Sequence, residues 1–194
     1  MINKQKNSDN AKKMPNFANM KYYELIENGY DKNAGMLFAP ADWPCPIAVD
    51  AVEVENWQNL VLELRNGIYC PFLSCNAVAN MVSEELKNLF LSFIGENEDI
   101  EFLPVPVISK EYGDRTYYIM HFKVIYDVID KEKTVYVPGT DIITKVRIDQ
   151  DKAKGLKLFN SQPAINDVIV SEDVYQSMKK NKFDRGLEFR QVGF

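Results

Sequence analysis

The chain has 194 residues, 46% hydrophobic and 26% charged, proportions that exclude a wholly disordered polypeptide. Three cysteines, Cys45, Cys70 and Cys75, are too few for the disulfide scaffold of a small secreted protein, and no apolar window reaches the roughly eighteen residues of a membrane-spanning helix. The formal net charge of −5 argues against broad binding to nucleic acid.

In chain order, residues 1–19 read as a flexible polar tail, rich in Asn and Lys and without periodicity. They lack the apolar stretch of a secretory signal. Structure is expected from Met20, where MKYYELIEN alternates Tyr22, Glu24 and Ile26 with Tyr23 and Leu25 as a strand does. Three prolines in APADWPCP (39–46) impose a loop or an extended segment, with Trp43 packed on a core edge. In NWQNLVLELR (56–65), Trp57, Leu60, Val61 and Leu64 recur at helical spacing, so a helix is predicted, although VLEL also suits a short strand. Ser83 is the expected N-cap of the helix EELKNLFLSFI, with Glu84 and Glu85 in its first turn and Gly95 ending it.

The period then changes to two. IEFLPVPVIS (100–109) is predicted as an edge strand, because Pro104 and Pro106 lie on one face and lack N–H groups. RTYYIMHFKVIYDVID (115–130) reads as one long strand, with Tyr118, Met120 and Phe122 on its strongly apolar face and His121 on the other, partly exposed one. A charged turn at 130–133 is expected to fold TVYV (134–137) back on it as a hairpin. Further strands are predicted at 141–148, 156–159, 167–171 and 187–192, and a helix capped by Ser171 runs to about Asn181. The grouping predicts a single α+β domain over 20–194: a mostly antiparallel twisted sheet with a few packed helices.

No catalytic constellation emerges. The chain has no G-x-S-x-G, no phosphate-binding loop and no G-x-G-x-x-G, so neither a nucleophile elbow nor a cofactor cradle is in sight. Zinc wants two close ligand pairs, whereas Cys70 and Cys75 form one loose pair and His121 is the only histidine. Buried thiols explain the cysteines first. Paired acids such as Glu84–Glu85 lie in hydrophilic stretches that would not raise a carboxyl pKa.

Charge is unevenly spread. Residues 41–104 hold eleven acids against Arg65 and Lys87, a net of −9, whereas 105–194 carry fifteen bases and thirteen acids, a net of +2. Such a block steers a basic partner toward one face. The partner-binding candidates are Glu53 and Glu55, with Glu96, Glu98 and Asp99 in the loop after the helix. Glu84 and Glu85 are left out, because a helix start already explains them.

A family resemblance goes further than these residues do. FLPVPV (102–107), YYIMHFKVIYDVIDKEKT (117–134), LFNSQPAINDVIVSEDVYQSM (158–178) and FDRGLEFRQV (183–192) occur in order, preceded by MVSEELKNLF (81–90) and MKYYELIEN. Their order and spacing resemble the immunity-protein-eleven family of bacterial polymorphic toxin systems over residues 20–194. The resemblance implies a non-enzymatic cytoplasmic protein that binds and neutralises a cognate secreted toxin. It implies no catalytic residues, cofactor, metal or membrane partner. Residues 1–19 depart from the family, which begins near the MKYY-like strand. Two other readings stand beside it: a small enzyme using Cys70 or Cys75 with His121, and a structural or oligomeric binding protein.

Overall fold

The computed structural model describes residues 20–28, 31, 34–43, 54, 57–77, 80–95, 98–161 and 165–192, the backbone alone at 165–167. In chain order the elements are β1 (Tyr22–Glu27), β2 (Met36–Phe38), β3 (Leu62–Asn66), β4 (Phe72–Cys75), β5 (Met81–Ser83), α1 (Glu84–Ile94), β6 (Ile100–Ile108) and β7 (Arg115–Phe122). There follow β8 (Val135–Tyr136), β9 (Ile143–Lys145), β10 (Leu158–Ser161), β11 (Ile165–Ser171), α2 (Glu172–Lys180) and β12 (Leu187–Val192).

The α+β class holds, but one continuous sheet does not form. Six strands close a barrel in the order β2-β3-β6-β7-β5-β4, four make a sheet in the order β10-β11-β1-β12, and β8 and β9 form a separate ribbon. Pairing is mostly antiparallel. The exceptions, β2 with β4 and β3 with β6, are the parallel contacts on either side of the β2–β3 pair.

Barrel closure buries the inner face of the strands, and β5, β6 and β7 bury part of the outer face as well. Leu62, Leu64, Leu73, Met81, Val105, Val107, Tyr117 and Ile119 fill the inside. The outer face of β5, β6 and β7 presents Val82, Ile100, Met120 and Phe122 to a second cluster, which also takes Leu86 and Phe90 of α1, Val174 and Met178 of α2, and Leu25, Val168 and Leu187 of the sheet. This cluster joins barrel, helices and sheet. The opposite sheet face, with Tyr22, Phe159, Ile169 and Val192, is covered by Val128, Ile148 and Ala153 of the long connection between β7 and β10. Inside the sheet, the buried Glu24 is paired with Arg190 of β12, Nε to Oε2 2.6 Å.

Both helices begin where predicted. Ser83 Oγ accepts from the Leu86 amide at 3.3 Å, and Gly95, at φ 66°, ends α1 by donating its N–H to Leu91 O. Bonds from its own backbone N–H and from Ser83 hold the Glu85 carboxyl below its ordinary range. Ser171 has an extended backbone but makes no side-chain cap; its hydroxyl donates to Asp173 at 2.5 Å instead.

Four expectations are corrected. Residues 56–65 are not a helix: a 3₁₀ turn at Trp57–Asn59 leads into β3, and Leu60, Leu62 and Leu64 point inward at period two while Val61 is exposed. β6 is not an edge strand. It pairs with β7 throughout, and its register with β3 covers only Val107 and Ile108, so both prolines lie outside that second pairing. The strand predicted to Asp130 stops at Phe122, where the Lys123 amide turns to Asp99 O at 2.8 Å. β8 folds on β9 rather than on β7, around a Val137–Thr140 turn with Pro138 and Gly139, φ 76°, at its centre.

Candidate partner-binding surface

α1 ends at Gly95 and β6 starts at Ile100, so the predicted acidic loop lies between helix and barrel in the chain. Of its residues, Glu98 is exposed in a turn. Asp99 is half-buried and structurally engaged: its carboxylate accepts the Tyr126 hydroxyl and its carbonyl accepts the Lys123 amide. Tyr126 is itself fixed, with its N–H on Asn160 O at 3.0 Å, its carbonyl on Ser161 Oγ at 2.8 Å and its ring edge-on to Phe159. Burial first, then the bond to Asp99, pushes the Tyr126 pKa up to about 12. The loop therefore separates into an anchor, Asp99, and a displayed acid, Glu98. Glu53, Glu55 and Glu96 lie outside the described residues.

His121 is not partly exposed but buried, because the second face of β7 is the inside of a barrel. It stands directly opposite Glu101 of β6, and Nδ1 meets Glu101 Oε1 at 2.7 Å. The other ring nitrogen, Nε2, is buried and has no hydrogen-bond partner among the described residues. A carboxylate orienting an imidazole is half of a nucleophile-activating set. Among the described residues no nucleophile completes it: neither Cys70 nor Cys75 is hydrogen-bonded to the ring, and Nε2 is shut off from solvent. Cys70 is buried too, and burial raises its thiol pKa, with the Gly35 N–H pulling the other way, which disfavours the reactive thiolate. Among the described residues, no group of three or more His, Cys, Asp or Glu is arranged to hold a metal ion. None of their helices is long and apolar enough to cross a membrane.

A second surface lies on the barrel itself. Among the described residues, no helix or sheet covers the outer wall of β2, β3 and β6, and Met36, Val61 and Ile108 are exposed there with Pro104 and Pro106. Glu63 and Arg65 pair across its middle at 2.8 Å, and the Arg65 guanidinium lies 4.9 Å from the Phe38 ring centre. A cleft of about 210 Å³ borders the wall, lined by Arg65, Gly67, Lys110 and Tyr112 among others. Its sequence signal is alternation: Glu63 and Arg65 share one face of β3, continued by Val61 just before it, and the inward leucines take the other.

No curated protein matches the chain. A family model, that of the Immunity protein family (Imm11), matches residues 72–193. The matched stretch runs from the start of β4 past the end of β12 and includes both helices. It covers more than half of the chain, which therefore belongs to the immunity protein family (Imm11).

Proposed function

We propose that the protein is a non-enzymatic immunity protein that binds a cognate secreted toxin of a bacterial polymorphic toxin system and neutralises it in the cytoplasm by forming a stoichiometric complex. Family membership over residues 72–193 is the observation that carries this reading. The burial of His121 supports the non-enzymatic part, because Nε2 meets no thiol among the described residues. The reading takes residues 20–194 as one domain; the place of β1 between β11 and β12, and of β2 and β3 in the barrel, supports it.

The toxin-facing surface is the acidic turn at Glu98 together with the candidates Glu53, Glu55 and Glu96; Asp99 holds that turn in place. The same strand that leaves the turn, β6, carries exposed Pro104, Pro106 and Ile108 along the barrel wall. Acid at one end gives steering toward a basic toxin surface, and the apolar wall gives area to bury. The test is co-expression with the toxin domain encoded beside the gene. Rescue of growth with recovery of a one-to-one complex supports the reading. Rescue without any complex, or toxin that is chemically altered after exposure, contradicts it.

A further inference from the structure

β12 is the last strand of its sheet, and among the described residues only its β1 side is paired. The opposite margin of the sheet is treated differently. There β10 is bridged at Asn160 by Ile125, and the Asn160 carbonyl accepts the Tyr126 amide. The register of β12 with β1 is unbroken over six residues, from Tyr22 opposite Val192 to Glu27 opposite Leu187, with no bulge, proline or glycine. A regular, open edge is a template for another strand unless its charges forbid pairing.

The charges here select one pairing instead. Glu188 and Arg190 lie two residues apart on the same face of the strand, and both are exposed. Glu188 has no ion-pair partner among the described residues. Arg190 touches Glu24 through Nε and Nη2, yet its side chain remains 62% exposed and the guanidinium has further donors. Antiparallel self-pairing centred on residue 188 or 190 sets like charges against each other. Centred on Phe189, it sets each Glu188 against an Arg190 and brings the two aromatic rings opposite one another, a favourable cross-strand pair.

We propose that the free edge of β12 is a self-association surface, on which a second copy of this chain pairs antiparallel about a two-fold axis at Phe189 with Glu188 opposite Arg190 of the partner subunit. The interface is isologous, so each charge pair occurs twice, and the four-stranded sheet continues into eight strands across the dimer. Phe189 is held for this role by Tyr175, whose ring centre is 4.9 Å away. The inference does not depend on toxin binding.

Sedimentation velocity over a concentration series, with the full chain, tests it. The expected result is a reversible dimer. Glu188→Arg should weaken it at least about tenfold by opposing like charges, and Glu188→Gln should weaken it less. Unchanged circular dichroism spectra of both variants guard against misfolding, and Glu188→Gln decides the matter if the reversal does not fold. A monomer at every concentration overturns the proposal, as does a dimer indifferent to both substitutions. Hydrogen-exchange protection of the β12 amides that appears only when the toxin domain is added also overturns it, and assigns the edge to a foreign strand.

Discussion

Tyr126 reaches from the connection after β7 to the turn before β6 and donates its hydroxyl to the carboxylate of Asp99. The bond ties the predicted recognition loop to the segment covering the sheet, and it divides two adjacent acids by role. Tyr126→Phe should lower stability by about 1.5 kcal/mol, the usual worth of a hydrogen bond to a charged group. Glu98→Gln should change it by less than about 0.5 kcal/mol, as exposed substitutions do. Urea unfolding of the two variants measures both, and equal losses would contradict the division.

Buried tyrosines make the fold sensitive to alkali. Burial, with Asp173 adding to it, pushes Tyr22 up to about 12, and burial and Asp99 do the same for Tyr126. Tyr117 is raised as well, by burial, against an opposing pull from Arg115. An unfolded tyrosine titrates near about 10, so between about pH 10 and 12 the native state binds more protons than the unfolded one. Stability is fully present below that window and falls as pH rises through it. Unfolding midpoints at pH 9, 10 and 11 should decrease in that order, and the slope should be shallower in Tyr22→Phe. A midpoint independent of pH over this range would refute the assignment.

His121 separates an enzyme from a binder. Its Nε2 is buried and has no partner among the described residues, whereas Glu101 is partly exposed and can be solvated if the ring is lost. His121→Leu should therefore cost no more than about 1 kcal/mol, since an unmet polar atom leaves with the bond. Protection of toxin-expressing cells should be unchanged. Abolished protection with stability intact would restore the Cys–His reading.

How far the sequence could be read depends on where each residue's partners lie. The β1 strand, both helices and β12 were legible because capping, periodicity and turn residues are local signals: Ser83 to Gly95 brackets α1, and Arg185-Gly186 precedes β12. The helix expected at 56–65 arose from a coincidence, because Leu60 and Leu64 satisfy both a period of four and a period of two. Only the barrel interior, which also takes Leu62, decides between them. Barrel closure itself left no local mark, since the parallel contacts of Leu37 with Cys75 and Leu62 with Val107 join residues far apart in sequence. The exposure of His121 is illegible for the same reason: its face of β7 is solvent-excluded only because the barrel closes. Of the candidate site, the acidic loop was legible as a run of like charges. The anchoring role of Asp99 was not, because Tyr126 is brought to it by tertiary packing.

The proposed capture of a toxin through an acidic, steering surface has a direct test. The most direct measurement is the association rate with the toxin domain encoded beside the gene, for the wild type and for a variant with Glu96→Lys and Glu98→Lys, at low and high salt. Asp99 is left intact so that the turn keeps its anchor. The expected result is a wild-type rate that falls with salt, and a variant rate lower by about tenfold at low salt that converges on the wild type at high salt. Rates that are equal for the two proteins and insensitive to salt would contradict the account.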